Sequence, residues 1–176
     1  MRILYTLSFM WLLMLVPVSE ASGQELDAKY ATTLLPPGSM APDFSIPSIV
    51  EGDTVSLSHV LASGSYVIVD FWASWCGPCR AENPNVKKIY AKYHDKGLEI
   101  IGVSLDEDKQ QWETAIDKLG IKWLQLSDLK GWENAVARQF DVNSIPYTII
   151  VDNKGQTLAT DLRGESLQTF IAERLD

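Results

Sequence analysis

The chain has 176 residues, 46% of them hydrophobic, enough for one domain that buries roughly 68–70% of its unfolded surface and needs no disulfide staple to fold. Fifteen Lys and Arg stand against 23 Asp and Glu, a net charge of −8 without a basic patch, which argues against nucleic acid as a partner because phosphate backbones are repelled. The only two cysteines, Cys76 and Cys79, are therefore free for chemistry.

The N-terminal segment MRILYTLSFMWLLMLVPVSEASGQ carries one cation, Arg2, then a mostly apolar stretch from Ile3 to Val16, then Pro17 and the small-residue segment Ser19 to Gly23. That stretch is short of the roughly 18 to 20 residues that span a bilayer as a helix. Residues 1–23 read as a secretory signal peptide cleaved after Ala21 or Gly23, with an uncleaved anchor as the competing reading. Either way the body is expected outside the cytoplasm, in the periplasm or its equivalent. No cysteine lies near the cleavage region, so a lipid-modified N-terminus is not supported. Residues 24–39 are polar and proline-containing and read as a tether, leaving 40–176 as the domain.

Phe44 and Ile46, then Val55 and Leu57, alternate around EGDT, a hairpin signal that Pro42 and Pro47 restrict to short edge strands. SYVIVDFW, residues 65 to 72, is a continuous apolar run of the kind buried on both faces of a sheet. The period then changes. Val86, Ile89, Tyr90 and Tyr93 mark an amphipathic helix that begins near Cys76, ends before Gly97 and is expected to bend at Pro84. LEIIGVSL is a second buried strand, and DEDKQQWETAIDKLG a helix whose acidic first residues suit the positive end of its dipole. WLQL reads as a short strand, GWENAVARQF as a helix, YTIIVDNKGQTLATDL as strand, turn and strand, and ESLQTFIAERL as the closing helix. This order defines an α/β fold with a central mixed sheet flanked by helices.

A strand ending at Trp72 and a helix beginning near Cys76 place the first sulfur over a helix N-terminus, where unpaired N–H groups and the dipole favour thiolate. Cys76 is the expected nucleophile, its sulfur exposed and that of Cys79 beneath it. Cys79, one turn inward, is placed to attack a mixed disulfide on Cys76, so the pair can shuttle two electrons. Gly77 leaves room for an approaching backbone, and Pro78 suits a first-turn position that lacks a partner for its N–H.

Other readings are weaker. Zinc would want two further ligands, and His59 and His94 lack the spacing for it, so no metal is expected. Haem attachment needs His where Arg80 stands. A purely structural Cys76–Cys79 bridge closes too small a loop to restrict the unfolded chain much.

VIVDFWASWCGPCR together with SIPYTIIVDNKGQ resembles the thioredoxin superfamily over most of the chain after residue 40. The N-terminal hairpin, the extra segment from about 106 to 130 and CRAENP are similar to its extracytoplasmic TlpA/ResA-like branch of thiol:disulfide oxidoreductases. The resemblance implies a thioredoxin-like fold with an N-terminal hairpin and a central insertion, a redox-active Cys76–Cys79 disulfide and no cofactor. It also implies a cis proline at Pro146 facing the cysteines, with the backbone of Ile145 open to an extended substrate. Tyr147 departs from the Thr that commonly follows this proline.

Asp70 occupies the place of thioredoxin's buried aspartate, and Glu82 that of an acid in the TlpA/ResA-like branch. Each is read as an acid serving Cys79, its pKa raised by burial, against the alternatives that Asp70 caps a loop and Glu82 faces solvent. Trp75 is read as a substrate contact, Trp72 as packing that tunes the site, and Trp112, Trp123 and Trp132 as core or lid residues. The implied partners are disulfide-containing proteins, apocytochrome c being the family's best-known substrate, and a membrane thiol donor. Gly-Pro between the cysteines resembles the reducing members. A peroxiredoxin-like peroxidase shares the hairpin but carries Thr where Ala73 stands, and copper-delivery relatives use a wider cysteine spacing and a later His.

Overall fold

Tyr66–Trp72, the run of β-branched and aromatic residues, is the middle strand of a five-stranded sheet. The structure, a computed structural model, describes residues 35–48 and 54–176; the expected signal peptide, most of the tether and residues 51–53 of EGDT lie outside the described residues. In chain order the elements are β1 (Ser45–Pro47), β2 (Thr54–Ser56), α1 (Leu57–Leu61), β3 (Tyr66–Trp72), α2 (Gly77–Tyr93), β4 (Leu98–Ser104), α3 (Lys109–Leu119), β5 (Leu124–Leu126), α4 (Ala135–Gln139), β6 (Tyr147–Asp152), β7 (Thr157–Thr160) and α5 (Gly164–Leu175). Short 3-10 turns cover His94–Lys96 and Gly131–Glu133.

The sheet order is β5-β4-β3-β6-β7. β3 runs parallel to β4 and antiparallel to β6, so the sheet is mixed, as the element order requires. β1 and β2 form a separate antiparallel pair, and Pro47 sits in it without breaking a central ladder. Leu57, expected in the second hairpin strand, instead opens α1, because Ser56 caps that helix by accepting the His59 N–H. Gly38 and Ser39, at the end of the expected tether, are already hydrogen-bonded to Thr157 of β7.

Two apolar clusters sandwich the sheet. Val67, Val69 and Phe71 of β3 belong to one, with Leu57, Trp112, Val136 and Phe140 from α1, α3 and the α4 region. Ile68 belongs to the other, with Val86 and Ile89 of α2 and Phe170 and Ile171 of α5. Burial of each such side chain is worth ~1.5–3 kcal/mol, so the strand beneath the cysteines is held on both sides.

Two elements depart from the sequence reading. GWENAVARQF is a 3-10 turn followed by a short helix, split at Asn134, whose side chain accepts the N–H groups of Val136 and Ala137. The acidic residues before α3 do not lie in its first turn: Asp108 is the N-cap, and Asp106 is buried against Ser74 and Ser104.

Candidate active site

β3 ends at Trp72, and four residues later Cys76 takes an extended backbone (φ −79°, ψ 104°) as the N-cap of α2. The Cys79 N–H donates to Cys76 Sγ at 3.2 Å. A 17-residue helix thus begins on this sulfur, and its unpaired N–H groups and dipole favour negative charge there. Pro78 occupies the first turn, where its missing N–H leaves no bond unmade. Pro84 lies within α2, which continues past it, although the Arg80 carbonyl loses the backbone donor that residue would supply.

Cys76 and Cys79 form a disulfide with their Cα atoms 5.3 Å apart. In this oxidised form the two residues are only 5% and 6% accessible, so the reading of an open sulfur at position 76 is corrected. Access lies at the rim, where Trp75, Gly77 and Pro78 are exposed and open space surrounds the Gly77 Cα. The Ile145–Pro146 peptide is cis, and Cys76 Sγ lies 3.9 Å from the Ile145 carbonyl oxygen.

Behind the disulfide is a narrow slot lined by Asp70, Cys79, Glu82, Trp72, Trp123 and Pro146 among others. The space open to a water's centre is about 10 Å3, room for about one molecule. Asp70 keeps some accessible surface on this slot, yet its surroundings are dense. Burial first, and then the charge of Glu82, push its carboxyl up to about 7.

Glu82 does not simply face solvent. Its Oε1 accepts the Gly164 N–H at 2.8 Å and an Asn85 Nδ2–H at 2.6 Å. It thereby caps α5, whose N-cap, Arg163, supplies no side-chain acceptor. The same carboxyl group also lines the slot behind the disulfide.

Three contacts escape a local reading because their partners are far apart in the chain. Trp72 Nε1–H donates to Gln125 Oε1 at 2.9 Å, and the Gln125 amide occupies the space that Gly102 leaves by lacking a side chain. Asp106 accepts from the Ser74 N–H at 2.9 Å and from its hydroxyl, fixing the loop that presents Trp75. Trp132, read as a core or lid residue, is 46% exposed and stands beside Trp75. Trp112 and Trp123 are buried.

A cysteine pair on a helix N-terminus, packed against a cis proline at the end of the middle strands of a mixed sheet, is the site of a thioredoxin-like thiol-disulfide oxidoreductase. The chain belongs to the AhpC/TSA family, whose model matches residues 37–158. It is 34% identical over 122 residues to the thiol-disulfide oxidoreductase ResA of Oceanobacillus iheyensis, covering 68% of this chain and 61% of that protein's length. It is 36% identical over 121 residues to the thioredoxin-like protein YneN of Bacillus subtilis, covering 67% and 66%. The thioredoxin domain of a thiol-disulfide oxidoreductase from Bacteroides vulgatus superposes with a TM-score of 0.73 at 34% identity, covering 81% of this chain and 99% of that one.

Proposed function

We propose that this protein reduces disulfides in other proteins of the bacterial cell envelope, with Cys76 as the attacking sulfur and Cys79 as the resolving one. The observation that carries the reading is the placement of Cys76 as N-cap of α2, with the Cys79 N–H on its sulfur and the Ile145 carbonyl beside it. The relatives named thiol-disulfide oxidoreductase support the reaction class. The signal-like N-terminus supports the compartment, with residues 1–23 as the leader, 24–39 as the tether and 40–176 as the working domain. Among the described residues no helix is long and apolar enough to cross a membrane.

In the reduced protein the Cys76 thiolate attacks one sulfur of a substrate disulfide. The substrate S–S bond breaks, its second sulfur leaves as thiolate, and a mixed disulfide forms on Cys76. Cys79 then loses its proton to the Asp70 carboxylate, attacks the Cys76 sulfur, and expels the first substrate sulfur. Two electrons pass from the dithiol to the substrate, whose two thiolates take up the two protons released by Cys76 and Cys79. Ile145 pairs with the extended substrate strand, and Trp75, Gly77, Pro78 and Pro146 bound the place where it lies. Trp72 and Glu82 act from behind, the first as a wall of the slot and the second through its charge on Asp70.

The Gly-Pro pair supports the reducing direction. Couples on related dithiols nevertheless span ~−270 to ~−120 mV, about 7 kcal/mol for two electrons, and in an oxidising compartment the resting disulfide must be reduced again. A membrane thiol donor fills that role, and apocytochrome c is one candidate substrate. A Cys79→Ser variant is expected to accumulate envelope proteins as mixed disulfides on Cys76, recovered by diagonal electrophoresis and mass spectrometry. Recovery of the donor alone contradicts the assignment.

A further inference from the structure

Among the described residues three large apolar side chains are strongly exposed, Met40, Trp75 and Trp132, and two of them meet beside Cys76. The indoles of Trp75 and Trp132 stand 6.4 Å apart at 54°. Together with Glu107, Asp108 and Gln111 they enclose a cleft of about 340 Å3 whose lining contains no Lys, Arg or His.

The two loops that carry the indoles are held by residues of the cleft's own lining. Asp106 holds Ser74 and so the approach to Trp75. Gly131 has φ +57°, and the Glu107 side chain lies where any side chain at Gly131 would stand, so the turn carrying Trp132 closes against Glu107. The carboxylates differ in what they are used for. That of Asp106 is consumed by the two serines. That of Asp108 accepts from the Gln111 N–H and amide, which hold it below the usual carboxylate range, so it stays anionic. Glu107 is exposed and makes no ion pair among the described residues.

We infer that this cleft takes the Lys or Arg side chain of a substrate protein near its target disulfide, the cation lying against the indole pair and facing Glu107 and Asp108. The inference rests on the reductase reading and adds to it the class of substrate preferred. Indole faces attract cations, and the attraction grows where water is displaced. The carboxylates and the overall charge of −8 act with the same sign at longer range. Trp75 precedes Cys76 directly, so a substrate segment whose sulfur meets Cys76 brings residues ~3.3 Å apart along its strand over the cleft.

Single-turnover rates of the pre-reduced protein on two disulfide peptides test this, the peptides differing only in Lys or Glu two residues from the reactive cysteine. The Lys peptide is expected to react about tenfold faster at low salt, with the ratio falling toward about twofold at 0.5 M salt. Trp132→Ala and, separately, Glu107→Gln are each expected to cut the low-salt ratio by about threefold or more. Equal rates for the two peptides, or a ratio unchanged in both variants, overturns the inference. Hydroxyethyl disulfide, which carries no charge, serves as the wild-type control. If it too goes unreduced, the reductase reading itself has failed.

Discussion

Cys76→Ser is expected to reduce no disulfide above the uncatalysed background, while Cys79→Ser is expected to complete the first half of the exchange once and stop. A hydroxyl cannot take the place of sulfur in a mixed disulfide, so the first variant has no covalent route. In the second, the mixed disulfide forms on Cys76 but waits for an external thiol. The two Cα atoms are 5.3 Å apart across one helical turn, which makes resolution intramolecular. Well-placed intramolecular attack carries effective concentrations of ~10⁵ M or more, far above any thiol in solution. Quenched-flow measurement of the mixed disulfide should therefore show it transient in the wild type and persistent in Cys79→Ser. Equal lifetimes in the two proteins, or turnover by Cys76→Ser, would reverse the assigned order of the sulfurs.

Asp70→Asn is expected to stabilise the oxidised protein at pH 8 by about 2–4 kcal/mol while slowing the Cys79 step by about a hundredfold. The carboxyl moves from 3.8 to about 7 on folding. Between those values the folded chain holds a proton that the unfolded chain has lost, so stability falls as pH rises from about 4 to about 7, and the full penalty is present above 7. At ~1.36 kcal/mol per unit the shift corresponds to about 4 kcal/mol at most. Urea denaturation at pH 5 and pH 8 should give a clear difference in the wild type and a small one in Asp70→Asn. The rate effect has the opposite sense, because Asn cannot accept the Cys79 proton. Glu82→Gln is a useful companion: its amide oxygen can still accept the Gly164 N–H, but its charge is gone, so the wild-type pH dependence should shift to lower pH without vanishing. A flat stability profile in the wild type would mean that Asp70 is not held as argued.

The strand Tyr66–Trp72, the onset of α2 at the cysteines and the turn between β6 and β7 were legible because each is written in adjacent residues: an apolar run, a change of period, an NKG turn. The place of Cys76 as N-cap follows from the same local grammar. What stayed hidden depends on residues distant in the chain. Glu82 caps a helix that starts 82 residues later, a contact with no local trace. Asp106 and Asp108 look alike in DED, yet one is buried under Ser74 and the other caps α3. GWENAVARQF has the composition of one helix, but Asn134 prefers to cap its second half, which splits it and leaves Trp132 outside the core. Disulfide formation and packing against Ile145 likewise cover Cys76, which position at a helix terminus alone would leave open.

The most direct test of the central claim is the ionisation of Cys76 in the reduced protein. It is read as the rate of iodoacetamide labelling at that residue across pH, with the site of modification located by mass spectrometry. A thiol on the N-terminus of α2 should titrate well below the ~8.5 of free cysteine. A midpoint at ~8.5 or above would mean that the helix does not prepare this sulfur for attack, and the proposed exchange would lose its first step.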